Sequence, residues 1–168
     1  AGTYTDPNPK DIFGITKRAN AFMDEQVKEQ KPFYLQLSHY AVHGPYQALE
    51  KTEENFANRT KGSRHNDVTY AAMTKDLDTS IGMVLDEVDK LRIANNTYII
   101  VMSDNGAGNP RNPNENTPLN KGKATLWEGG IRVPLIIRGV NIKPNSFCKN
   151  NVIGYDLFPT LCELANAG

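Results

Sequence analysis

The residues best equipped for chemistry fall in three short stretches: His39-Tyr40-Ala41-Val42-His43-Gly44-Pro45, Ser103-Asp104-Asn105-Gly106, and Lys121-Gly122-Lys123 running on to Trp127-Glu128-Gly129-Gly130. Asp104 and Asn105 end the apolar run Tyr98-Ile99-Ile100-Val101-Met102. A carboxylate beside a carboxamide offers oxygen ligands to a hard divalent cation. The glycine that follows lets the backbone turn sharply and approach a ligand. The same residues also make a plain turn, since Asn-Gly is a turn signal anywhere. An imidazole beyond a strand end binds an anion when protonated, or trades a proton with a substrate. Its ordinary alternative is a hydrogen bond that caps a loop. Lysine neutralises an oxyanion such as sulfate or phosphate as a point charge, although most lysines are simply solvated. Glu128-Gly129-Gly130 reads equally as a tight turn held by a carboxylate, and Trp127 as a packing residue. Together, a cation site, a titratable ring and a fixed positive charge suit displacement at an anionic tetrahedral ester.

The elements that position these stretches follow from hydrophobic periodicity. Ile12, Ile15, Ala19, Phe22, Met23 and Val27 trace a helical stripe from Asp11 to about residue 30, ended by Lys31-Pro32. Residues 33–38 read as a strand, with His39 to Pro45 as its carboxyl end and following loop. Residues 46–65 are polar and irregular, and no structure is assigned to them. Met73, Leu77, Ile81, Val84, Val88 and Leu91 make residues 66–92 the strongest helix. Tyr98–Met102 reads as a buried parallel strand, and ligands in open α/β sheets bind outside the carboxyl ends of such strands. Residues 105–122, rich in Gly, Pro and Asn, predict a long loop. A third strand is predicted over 133–138, with Pro134 near its start, and a last helix over about 155–165. The alternation predicts an α/β layered fold, a largely parallel sheet flanked by helices.

Composition narrows the classes further. At 168 residues the chain fits one domain, long enough to bury roughly 70% of its unfolded surface. A charged fraction of 23% beside 39% hydrophobic residues marks a globular chain. A formal net charge of zero argues against nucleic acid or an anionic membrane as the main partner. No apolar run approaches the roughly 20 residues of a membrane span. Cys148 and Cys162 form no Cys-x-x-Cys pattern and are free to pair or stay reduced. The absence of an initiating Met and of a signal peptide leaves the compartment open.

At these residues the chain resembles the sulfatase family of the alkaline-phosphatase-like superfamily. The resemblance runs through Pro32-Phe33-Tyr34-Leu35, Ala41-Val42-His43-Gly44-Pro45, Ser103-Asp104-Asn105-Gly106, Gly122-Lys123, Trp127-Glu128-Gly129-Gly130-Ile131-Arg132-Val133-Pro134 and Tyr155-Asp156-Leu157-Phe158-Pro159-Thr160-Leu161. It implies that Asp104 and Asn105 are metal ligands for a divalent cation, calcium in this family. It implies that His43 and Lys123 contact the sulfate as catalytic and substrate-binding residues, with His43 helping the leaving oxygen depart. Lys121 has no counterpart and reads as surface charge, His39 as structural, and Asp156 as a helix-start residue.

One departure from the family outweighs the matches. Sulfatases mature a Cys or Ser followed by x-Pro-x-Arg into formylglycine, the nucleophile, and this sequence contains no such motif. The family's amino-terminal Asp-Asp ligands are also missing. Residues 1–168 therefore look like a single partial catalytic domain, its middle-to-late portion, with formylglycine expected in a missing amino-terminal segment. The expected parent is a sulfuric ester hydrolase acting on a sulfate-ester small molecule or carbohydrate, outside the cytoplasm. The slice alone is expected to be inactive and prone to self-association through exposed core surface. Two other readings remain: a metal-dependent phosphodiesterase or phosphotransferase of the same superfamily, and a non-catalytic α/β binding domain.

Overall fold

The computed structural model describes residues 8–108 and 116–167. A 3-10 turn at Pro9–Asp11 leads into α1 (Ile12–Lys28). There the Asn8 carboxamide oxygen accepts the otherwise unpaired N–H groups of Phe13 and Gly14, each at 3.1 Å. After an extended stretch and a loop come α2 (Glu50–Ala57) and α3 (Val68–Lys90). Asp67 caps α3 by accepting from Tyr70 N at 3.0 Å. A 3-10 turn at Ala94–Asn96 precedes β1 (Ile99–Met102). The single helical turn α4 (Glu128–Ile131), strand β2 (Leu135–Arg138), a 3-10 turn at Gly154–Asp156 and α5 (Leu157–Leu164) complete the order.

The core lies between α1 and α3. Ile12, Ala19 and Met23 of the first meet Ala72, Met73 and Val88 of the second, all buried. Each of the larger side chains contributes about 1.5–3 kcal/mol by leaving water. The same interface also buries three polar residues, Thr16, Asp76 and Ser80. Helix α2 packs on α3, tied by a hydrogen bond from Thr69 to Glu53. The Phe22 and Phe33 rings meet edge-on at 5.9 Å and fasten the end of α1 to the stretch that follows.

The two long helices and the last one stand where hydrophobic spacing puts them, within two residues at most ends. Three features differ from expectation. Residues 31–40 form no helix, and their side chains from 32 to 40 alternate between exposed and half-covered as in a strand, yet they pair with no strand among the described residues. Residues 50–57 form a helix where no element was expected. The strand pairing that the described residues contain is antiparallel, with Ile99 opposite Arg138 and Met102 opposite Leu135. The expectation of parallel pairing fails at this pair for a topological reason. A parallel return needs a crossover of a dozen or more residues, usually a helix, and the described residues between β1 and β2 hold only the single turn α4. Ser103 N donates to Pro134 O at 3.4 Å, so β2 comes back directly beside β1.

Both cysteines are free. Among the described residues no helix is long and apolar enough to cross a membrane. Large apolar side chains from Leu126 onward are uncovered, with Leu126 92% and Phe147 96% exposed.

Candidate active site

Past the end of β1 the backbone turns through Asp104-Asn105-Gly106 and meets the segment that precedes β2. Gly106 N donates to Gly130 O at 2.9 Å, and Lys123 N donates to Ala107 O at 3.1 Å. This approach requires glycine on both sides. A side-chain carbon on Gly106 would overlap the Gly129 carbonyl, and one on Gly129 would overlap the Lys121 carbonyl. The second segment is folded on itself by Gly129 N donating to Asn120 O at 2.9 Å and Thr125 Oγ1 to Gly122 O at 2.7 Å.

Asn116 staples the two arms. Its carboxamide oxygen accepts from Ala107 N at 3.2 Å, and its nitrogen donates to Ala107 O and to Lys121 O, both at 2.9 Å. An amide side chain thus pairs with both the N–H and the C=O of one residue, as an antiparallel neighbouring strand would. Sequence reasoning missed this residue, because asparagine in a loop rich in Asn and Pro carries only a turn signal. The rest of the predicted 105–122 loop, residues 109–115, lies outside the described residues.

These contacts bring three of the four expected residues together. Asp104 is exposed and Asn105 half-buried on the turn, and Lys123 is exposed with its stem against it: a carbon built on Gly108 would stand 2.8 Å from Lys123 Cβ. Neither the Asp104 carboxylate nor the Lys123 ammonium makes an ion pair with a described residue, so both charges face outward unspent. Carboxylate and carboxamide oxygens are hard donors that suit calcium. The ion takes six to eight ligands, and the described residues contain no cluster of three or more His, Cys, Asp or Glu side chains placed to hold a metal. The pair therefore fits as part of a larger ligand set.

His43 stands on a separate loop and makes no hydrogen bond to the turn or to Lys123 among the described residues. Its backbone N–H donates to Tyr40 O at 2.9 Å, and its Nδ1 lies 2.8 Å from Gly44 O. A carbonyl only accepts, so Nδ1 carries a proton and Nε2 is the ring nitrogen left open. Lys121, read as surface charge, lies over the Trp127 ring at 5.1 Å. Trp127 remains 51% exposed, less covered than its reading as a packing residue implies. Glu128 pairs with Arg132 at 3.1 Å on the solvent side.

His39 is structural, and its tautomer follows from its neighbours. Thr16 Oγ1 gives its hydrogen to Ile12 O at 2.8 Å, so Ser80 Oγ, 2.6 Å away, must donate to Thr16. Ser80 can then only accept from His39 Nε2, at 3.5 Å. The buried Nδ1 is left an acceptor without a partner. Burial accordingly pushes the His39 imidazole below its ordinary range.

The sulfatase family model matches residues 8–167. The chain belongs to the sulfatase family. It is 35% identical to a sulfatase of Formosa agariphila over 158 residues, covering 87% of this chain and 28% of that one. It is 33% identical to the steryl-sulfatase of Rattus norvegicus over 170 residues, covering 95% and 28%. Its structure is similar to that of Ps i-CgsB in complex with k-i-k-neocarrahexaose, with a TM-score of 0.79 and 32% identity over 94% of this chain and 34% of that one. The fold is thus the alkaline-phosphatase-like fold of sulfatases, in part: the chain spans under a third of the curated relatives it matches.

Two outcomes follow. His39 is held neutral in the fold, whereas the unfolded chain takes up the proton at its ordinary value, so stability is full above about pH 6.5 and declines as pH falls through the window below it. Denaturant midpoints from pH 7.5 down to pH 5 should drop more steeply for the native protein than for His39→Gln, and parallel declines would count against the assignment. Gly106→Ala should lower stability by about 1–3 kcal/mol in the same measurement, because the clash is with backbone; an unchanged midpoint would mean that the two arms do not depend on their close approach.

Proposed function

We propose that this chain supplies the cation-binding and sulfate-binding rim of a sulfuric ester hydrolase. The observation that carries the reading is the backbone union of the Asp104-Asn105-Gly106 turn with the Lys123 segment, in a chain of sulfatase ancestry. Lys123 presents a fixed ammonium to the sulfate oxygens and holds the ester by charge. His43, with Nδ1–H anchored on Gly44 O, presents Nε2–H to the sulfate as the doubly protonated imidazolium; that Nε2 proton passes to the departing alcohol oxygen and leaves the neutral ring protonated at Nδ1. Asp104 and Asn105 would hold calcium through their carboxylate and carboxamide oxygens, and the ion would supply Lewis-acid polarisation of the ester.

The chain contains no Cys or Ser followed by x-Pro-x-Arg. It therefore brings no formylglycine precursor of its own, and we infer that the isolated chain is inactive. A sulfated carbohydrate is the substrate class we favour, since the similar Ps i-CgsB structure holds a carbohydrate, k-i-k-neocarrahexaose. Family membership supports an extracytoplasmic site of action. The uncovered apolar side chains Leu126, Phe147 and Phe158 support self-association of the isolated chain.

The test is aryl sulfate hydrolysis by the whole protein with calcium. Lys123→Ala and His43→Ala should each lower kcat by about 100-fold or more, Asp104→Ala should raise the calcium needed for half-activity, and residues 1–168 alone should give no turnover above their own His43→Ala control. Wild-type kcat in the Lys123 variant, or turnover by the 168-residue chain, would refute the reading.

A further inference from the structure

Among the described residues the hydrogen bonds of His43 stay within its own loop, so the position of its imidazole depends on what holds that loop. The loop 40–48 is bounded by His39 and Leu49, and both bounds meet α3. Asp76, 2% exposed, is the strongest anchor. Its Oδ2 accepts from Leu49 N and its Oδ1 from Thr52 Oγ1, both at 2.7 Å. Leu49 is the residue that opens α2, and its apolar side chain caps nothing. Asp76 therefore does from α3 what a capping residue would do locally, placing a carboxylate at the amino end of α2.

Ser80, one turn further along the same face, meets His39 at the loop's other bound. Two more contacts hold the stretch between: Gln47 Oε1 accepts from Lys10 N at 3.1 Å, and the Tyr46 and Tyr70 rings meet at 5.2 Å. Each hydrogen bond here involves a buried or part-buried group, where a broken partner is costly.

We propose that Asp76 and Ser80 form a two-point clamp on the loop 40–48, and that they are positioning residues for His43. The proposal rests on the role given to His43 above. In the whole protein, Asp76→Asn should speed amide hydrogen exchange at residues 40–49 by about ten-fold or more, and leave the buried amides of α1 and α3 unchanged. The same variant should lower kcat for an aryl sulfate at least as much, with KM within about two-fold, and broaden the NMR signals of the His43 ring. Thr52→Val removes one of the two bonds at a less buried site; it should shift the same readouts in the same direction, and it carries the test if Asp76→Asn does not fold. Ser80→Ala should loosen the His39 end alone. Unchanged exchange at 40–49 in Asp76→Asn and Thr52→Val would overturn the clamp. A loosened loop with unaltered kcat and sharp His43 signals would overturn the positioning role. Full activity in His43→Ala would instead remove the functional reading and leave the exchange result standing.

Discussion

Two backbone hydrogen bonds, Gly106 to Gly130 and Lys123 to Ala107, decide where the chemistry of this chain sits. They bind the end of β1 to the segment before β2, and they form only because glycine lets the two backbones come within hydrogen-bond range. Everything else on that side follows. The backbones that carry Asp104, Asn105 and Lys123 are held together by main-chain hydrogen bonds. Asn116 adds a third point of attachment and keeps the arms in register. A backbone fixed this way suits the proposed role, since electrostatic stabilisation of a reacting ester depends on preorganised groups.

The other half of the molecule solves a different problem. The α1–α3 interface is a conventional apolar core with a polar seam of Thr16, Ser80 and Asp76 running through it. A buried polar seam costs stability unless each member finds a partner; here Thr16 pairs with Ile12 O and Ser80, while Ser80 and Asp76 reach His39 and Leu49, the two bounds of the loop that carries His43. The polar groups thus exchange some of the security of an apolar core for a defined loop position. His39 is less well served: its buried Nδ1 has no partner among the described residues, and burial makes protonation there work against the fold.

Much of this was legible in the residues, and the reasons differ by element. The stripes Ile12 to Val27 and Met73 to Leu91 marked α1 and α3 because long amphipathic helices repeat their signal many times. Helix α2 was hidden: Glu50 to Ala57 is too short and too polar to show periodicity, and it is supported from another helix, by packing on α3 and by hydrogen bonds to Asp76 and from Thr69. The parallel sense expected for the β1 and β2 pair failed because apolar runs reveal burial but not direction, and direction depends on the connection. The site residues Asp104, Asn105 and Lys123 were readable as motif chemistry. Their juxtaposition was not, since it depends on carbonyl groups of Ala107, Gly129 and Gly130 that no residue type announces. Asp76 did leave a trace, as a carboxylate four residues from Ala72 and from Ser80 on the buried face of a helix.

The most direct measurement is a crystal structure of the whole protein with calcium and a sulfate ester analogue. The account predicts Asp104 and Asn105 oxygens at about 2.3–2.6 Å from the cation. It also predicts Lys123 Nζ and His43 Nε2 within about 2.7–3.2 Å of sulfate oxygens. A cation bound elsewhere, or His43 and Lys123 on opposite faces of the molecule, would contradict it.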